Sequence, residues 1–177
     1  MSTVQVLATA DLTAQERRAI RALLTAAFED GFTDDDWDHT LGGLHVIIED
    51  GDAIVAHAAV VPRTLKIAGR PVRAGYVEGV ATDATRQRQG LGSLAMSELA
   101  RVLRREFEMG ALSSDRHHFY ERLGWQRWRG PTYVRDGDRI IRTAHEDDGI
   151  MALVFGPTEQ MDLTAPIICE ARSGDDW

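Results

Sequence analysis

The order of apolar patterns along the chain predicts a mixed α/β (α+β) fold, a largely antiparallel central sheet flanked by helices. Three observations predict it. An opening strand leads into helix-spaced apolar residues, extended segments joined by short turns fill the middle, and a long amphipathic helix precedes the later strands. No internal repeat, low-complexity tract or Pro/Gly-rich linker interrupts the 177 residues, so one domain over 1–177 is expected.

The stretch Val4–Ala8 reads as the first strand. Thr13 and Glu16 form a capping-box pattern, in which hydroxyl and carboxylate satisfy the free amides of a helix start. Ile20, Leu23, Leu24, Ala27 and Phe28 follow at helical spacing as one buried stripe. A second, short helix is expected over 32–40, capped by Thr33 or Asp34. His45–Glu49 and Ile54–Val61 make a strand pair around Asp50-Gly51, and Leu65–Ile67 and Val72–Ala81 a second pair around Ala68-Gly69-Arg70. From Gly90 to Met109, Leu91, Ala95, Leu99, Val102, Leu103 and Phe107 line one helix face, with charged residues largely on the other. Ala111–Ser113 is a short strand, and Asp115 is expected to cap a helix that stops before Gly124. Trp125–Trp128, Thr132–Arg135, Met151–Phe155 and Ile167–Glu170 are the later strands.

Composition narrows the function. Hydrophobic residues make up 44% and charged residues 27%, an ordinary soluble balance. No apolar run approaches the roughly 18–20 residues that span a bilayer, and the first residues lack a signal-peptide pattern, so a cytoplasmic protein without a membrane partner is expected. Cys169 is the sole cysteine, which excludes an internal disulfide and a cysteine metal cluster. His39, His45 and His57 lack the usual metal-ligand spacing, and the adjacent His117 and His118 face different ways, so no metal is expected. A net charge of -8 disfavours nucleic acid and suits a cationic substrate.

The stretch from Thr85 to Ser93 is the most informative. Gly90 and Gly92 open the long helix, where bare backbone lets amides approach an anion and the helix dipole holds it, with Arg86 and Arg88 adding charge. Gly90-x-Gly92-x-x-Ala95 formally fits a dinucleotide fingerprint, but that motif needs an apolar strand running into its first glycine, and here Arg86-Gln87-Arg88-Gln89 precede it. No Gly-Lys-Ser/Thr follows, so it is not a P-loop. A helix entry that merely carries glycines is the remaining alternative.

Gln87-x-x-Gly90-x-Gly92, after a long strand and before the long helix, resembles the acetyl-CoA signature of the GNAT acetyltransferases, and Phe119 through Trp125 looks like their second signature, a helix ending Tyr-x-x-x-Gly-aromatic. The resemblance covers the whole chain and implies the GNAT fold and acetyl-CoA as cosubstrate. It would be held by Gln87, Arg88, Gly90, Leu91, Gly92 and Ser93 and by the backbone of Val80, Ala81 and Thr82. The segments 32–37, 39–45, 75–80 and 110–114, and an ending Gly174-Asp175-x-Trp177, are similar to the aminoglycoside 2'-N-acetyltransferases. That narrower resemblance implies an amino-sugar antibiotic as acceptor, resistance as the outcome and a homodimer as the assembly. Relatives carry an acidic residue where Gly31 stands, with Asp30 beside it, which points to a smaller, differently built aminoglycoside such as kasugamycin.

Forming an amide from a thioester requires a neutral amine, so a carboxylate or a water it holds must take a proton. Glu78, in the otherwise apolar strand Tyr76-Val77-Glu78-Gly79-Val80, is the candidate base and also touches substrate; Gly79 beside it suggests a bulge or a close backbone approach. A strand-face glutamate in solvent is its alternative. Tyr120 matches the tyrosine that serves the family as general acid, against a core aromatic with a satisfied hydroxyl. Cys169, between apolar neighbours, reads as inert packing, which favours direct transfer. Acidic groups occur at 30–38, 146–148 and 175–176. From these the sugar site is expected to draw Asp30, Asp36, Asp148 and Asp175, with Trp37, Trp177 and the Ser113 hydroxyl. Removing Asp175–Trp177 is expected to weaken sugar binding about ten-fold or more while acetyl-CoA binding and thermal stability stay nearly unchanged, because the cofactor is held by the central strand and helix. A GNAT enzyme acting on another small amine or a protein N-terminus, or a non-catalytic acetyl-CoA-binding module, are the alternatives.

Overall fold

The computed structural model describes residues 2–177; the side chain of Asp30 lies outside the described residues. Helix α1 (Ala14–Phe28) begins with the full capping box, Thr13 accepting from the Glu16 amide and Glu16 accepting from the Thr13 amide at 2.7 Å. Such a cap stabilises a helix start by about 1 kcal/mol. Ile20, Leu23 and Leu24 are buried as the stripe requires, but Phe28 is 48% exposed and Ala27 is exposed too. Phe28 instead stacks on Phe32, ring centroids 6.0 Å apart. Helix α2 (Asp34–His39) has its own capping box, Thr33 with Asp36.

Strand β1 (Ser2–Ala8) pairs antiparallel with β2 (Leu44–Asp50), which pairs antiparallel with β3 (Ala53–Ile67). The two expected strands at Ile54–Val61 and Leu65–Ile67 are one continuous strand. The intervening Pro62-Arg63-Thr64 stretch stays extended, and Pro62 is exposed. Ala68 (φ 47) and Gly69 (φ 81) turn the chain into β4 (Arg70–Thr82). Positive φ at both central residues marks the hairpin turn whose twist matches paired strands.

Helix α3 (Leu91–Glu106) ends sooner than its periodicity suggests, because β5 (Met109–Ser113) already begins at Met109. Helix α4 (His117–Glu121) is capped by Arg116 without a side-chain bond, so Asp115 is not its cap; Gly124 (φ 88) follows its end as expected. The later strands are β6 (Gln126–Arg127), β7 (Thr132–Asp136), β8 (Arg139–Arg142), β9 (Ile150–Val154) and β10 (Ile167–Glu170). Strand β8 escapes the sequence reading because all of its residues are exposed, including Ile140 at 56%.

The chain forms two compact units. The first comprises residues up to Val61 with Val77–Val102, and the second Pro62–Tyr76 with Leu103–Trp177. In the first, Leu12, Ile20, Leu23, Leu24, Ile47 and Ala81 form a buried cluster against which Phe32 and Trp37 pack. The second carries the strand order β6-β9-β5-β4-β3-β10-β7-β8, antiparallel except where β4 meets β5 and β7 meets β10. The fold is thus mixed α/β with a mostly antiparallel sheet, as the pattern predicts.

Candidate active site

The turn before α3 has an irregular backbone. Arg88 (φ 61) and Gly90 (φ 81) both have φ in the left-handed region. A side chain rarely adopts that conformation, so its occurrence at Arg88 marks a constrained turn. Space around Gly90 is open, with nothing within 4 Å of a Cβ built there. The turn runs into a 16-residue helix whose N-terminus favours negative charge. Gln87, Arg88 and Gly90 are exposed, Gly92 and Ser93 half-buried, and Leu91 anchors the helix in the core at 8% exposure. These residues fit a phosphate-bearing ligand. Arg86 differs from the expectation: its guanidinium is bonded to Asp50 (2.6 Å) and Gln89 (3.2 Å), so it braces the turn.

Glu78 is half-buried on β4, and Gly79 beside it has φ 57. A Cβ at Gly79 would come within 2.9 Å of Thr40 Cγ2, so this point of the strand combines an irregular backbone with a close approach. Val80 and Thr82 are half-buried and Ala81 is buried. The β4–β5 ladder covers Ala74–Tyr76, and β4 then continues through Val77–Thr82 without a β5 partner among the described residues. His57 Nδ1 lies 2.7 Å from the Gly79 carbonyl and His57 Nε2 lies 2.9 Å from His45 Nδ1, both imidazoles being fully buried. Sequence reading weighed these histidines only as metal ligands. What links them is strand register, His45 opposite Ala59 and His57 opposite Ile47, which spacing along the chain does not display.

Trp37 is half-buried, with the Arg21 guanidinium 5.8 Å from its ring centroid. Asp36 spends one carboxylate oxygen on the Thr33 amide and hydroxyl, at 2.7 Å each. Its first role is to cap a helix.

In the second unit Tyr120 is 7% exposed. Burial pushes its phenol up to about 12, against smaller opposing effects of Arg116 and Ser114. Ser114, the residue after the expected Ser113, accepts from the Arg116 amide at 3.0 Å, while half-buried Ser113 ends β5 opposite Ile150. Burial also raises the Cys169 thiol to about 11, so it stays protonated and inert.

The acidic groups sort themselves by partner. Asp147 is held by Arg142 and by the Thr132 amide (3.0 Å) and hydroxyl (2.9 Å), a structural anchor. Asp148 is exposed. Glu146, which the sequence reading left out of the site, is half-buried; burial, then Asp175 and Asp176, raise its carboxyl above the ordinary range against an opposing effect of His145, whose Nε2 lies 3.3 Å away. Asp175 is exposed and accepts from the Trp177 amide at 3.2 Å.

The segment carrying Asp175 is not frayed. Trp177 is 3% exposed and its indole N–H donates to Thr143 Oγ1 at 3.1 Å, so the ring belongs to the core and is not a face open to a sugar. Arg63 donates to the Asp176 carbonyl (2.8 Å) and Arg172 to the Asp175 carbonyl (2.7 Å), with both guanidiniums over the Tyr76 ring at 4.6 and 5.6 Å. Removing Asp175–Trp177 therefore takes out part of a packed unit, against the expectation of unchanged stability.

Residues 9–128 match the acetyltransferase (GNAT) domain, and the chain belongs to the GNAT acetyltransferases. It is an N-acetyltransferase, and like the rest of that family it takes its acetyl group from acetyl-CoA. Within the family the chain is 39% identical over 181 residues to the aminoglycoside 2'-N-acetyltransferase of Mycolicibacterium fortuitum, covering 100% of this chain and 93% of that protein, and it belongs with that group. The fold matches the GNAT N-acetyltransferase YhbS of Escherichia coli, solved with CoA, at a TM-score of 0.68 and 15% identity, over 95% of this chain and 89% of that one. It also matches a GNAT acetyltransferase of Brucella melitensis, solved with acetyl-CoA, at 0.60 and 19%, over 88% and 90%.

Proposed function

We propose that this enzyme acetylates an amino group, the 2'-amine, of an aminoglycoside-type antibiotic and so confers resistance, with a smaller kasugamycin-like compound as the preferred acceptor. The observation that carries the reading is the full-length relationship to an aminoglycoside 2'-N-acetyltransferase. The half-buried Glu146 kept beside Asp175 and Asp176 supports a polycationic acceptor, since a bound ammonium relieves that like-charge repulsion. Asp148 and Asp175 supply further exposed carboxylates, and Asp30 and Asp36, with Trp37 and Ser113, complete the proposed sugar-binding set. Net charge -8 favours the same kind of ligand. Assembly as a homodimer rests on the family resemblance.

Acetyl-CoA brings the acetyl group as a thioester whose thiolate is the leaving group. The turn Gln87–Ser93 holds its phosphates, and the backbone of Val80, Ala81 and Thr82 pairs with its pantetheine arm. An alkyl amine near the lysine value of about 10.4 is protonated at neutral pH, and Glu78 takes that proton directly or through a water. The Tyr120 phenol, raised to about 12, stays neutral and donates a hydrogen bond to the departing thiolate. The freed amine nitrogen attacks the thioester carbonyl, the C–N bond forming as the C–S bond breaks. Its second proton passes to the leaving thiolate, an alkyl thiol titrating at about 8.5, while the phenol keeps its own proton. The test is kinetic. Glu78→Gln should lower kcat by about 10²–10⁴-fold, while calorimetry finds acetyl-CoA affinity unchanged. A fully active Glu78→Gln would place the base elsewhere.

A further inference from the structure

We infer that the buried His45–His57 pair is a positioning device that locks the Gly79 carbonyl and thereby aims Glu78. Thr9 Oγ1 lies 2.8 Å from His45 Nε2, His45 Nδ1 lies 2.9 Å from His57 Nε2, and His57 Nδ1 lies 2.7 Å from Gly79 O. The chemistry of the end group fixes every proton in this line. A carbonyl only accepts, so His57 carries its proton on Nδ1. Burial depresses His57 to about 3 and His45 to about 4, so both rings are neutral at working pH. His57 Nε2 is then an acceptor, His45 carries its proton on Nδ1, and the Thr9 hydroxyl donates to His45 Nε2. The alternative acceptor for that hydroxyl, the Gly43 carbonyl, is farther off at 3.3 Å. Thr9 Oγ1 in turn accepts from the Gly42 amide at 2.9 Å, which closes the line at its far end.

The line crosses three neighbouring strands. β2, β3 and β4 each place one member, His45, His57 and Gly79, so it runs across the sheet. A strand carbonyl ordinarily lies in the plane of the sheet, bonded to the next strand. Here a buried imidazole donates to the Gly79 carbonyl, at a residue whose φ of 57 departs from regular strand geometry. Glycine is the residue with most freedom to turn back. Thr40 at 2.9 Å and the Leu24 methyls at 3.2 and 3.3 Å leave no room for a Cβ that would restrict it. The imidazole supplies the missing restraint. The Gly79 carbonyl belongs to the 79–80 peptide, one residue past Glu78, so holding it restrains the backbone from which the Glu78 side chain leaves the strand.

This inference rests on Glu78 taking the amine proton, and the experiment separates the two. His57→Leu removes the donor; His57→Asn restores it, since the Asn amide nitrogen stands one atom past Cγ as Nδ1 does. His57→Leu should lower kcat by about 10²-fold, the usual cost of a misplaced catalytic group. Acetyl-CoA affinity should hold, and His57→Asn should recover most of the loss. In a Glu78→Gln background His57→Leu should cost almost nothing further, because the group it aims is gone. Long-range ¹⁵N–¹H spectra of the wild type should show both rings protonated on Nδ1. An active His57→Leu beside an impaired Glu78→Gln, an unrescued His57→Asn, or an Nε2-protonated His57 would overturn the lock. A fully active Glu78→Gln would overturn the base assignment and the lock with it.

Discussion

Two polar clusters, one in each unit, are built in opposite ways. Around Gly79, every ring nitrogen of His45 and His57 has a partner, and both rings are held neutral by burial. Around Asp175, Glu146 lies near Asp175 and Asp176, groups of its own sign, with His145 Nε2 at 3.3 Å from its carboxylate as a counterweight. A satisfied, neutral line stiffens the backbone it ends on. A set of like charges destabilises the free protein and is relieved when a cation arrives. The first arrangement is suited to setting geometry, and the second to binding.

The largest effect that bears on this contrast concerns Trp177, which shares a short segment with Asp175 yet plays the structural part. Trp177→Ala should destabilise the protein by about 3–5 kcal/mol, the cost of deleting a buried aromatic, as read by denaturant titration. Wild-type stability would show the ring to be outside the core and the segment to be purely a binding tail.

A smaller effect, with opposite signs in two readouts, is expected at Glu146. Glu146→Gln should raise the KM of a cationic acceptor about ten-fold or more, by loss of a charge-assisted bond of about 1.5–3 kcal/mol. It should also raise Tm slightly at neutral pH. The carboxyl titrates higher in the folded state than in the unfolded chain, so its favourable contribution is complete at acid pH and lost as pH rises through the folded value. The gain in Tm should therefore disappear below the carboxylate range. A lowered neutral-pH Tm would show that Glu146 is held by favourable partners and is not strained.

The sequence displays what is local. The Thr13–Glu16 box, the strand–turn–helix around Gly90 and the Gly124 helix end are each written within a few adjacent residues, and the structure has all of them. Glu78 and Gly79 likewise stood out as an acid and a glycine in an apolar strand. What the sequence hides depends on pairing. His45 and His57 meet only because β2 and β3 pair in one register, and Glu146 meets Asp175 across 29 positions of chain. Asp36 is instructive in the other direction. Thr33-x-x-Asp36 has the spacing of a capping box, and the structure uses the aspartate there. Trp177 followed the same course, an aromatic expected at a ligand and found in the core.

The central claim is that a cationic amino-sugar is the acceptor. Its most direct test is a CoA-release assay with acetyl-CoA over a panel of deoxystreptamine aminoglycosides and kasugamycin, beside polyamines and peptides with free N-termini. The account predicts turnover with amino-sugars, highest kcat/KM for kasugamycin, and acetylation of the 2'-amine in the product by mass spectrometry and NMR. Turnover confined to a polyamine or a peptide N-terminus would contradict it.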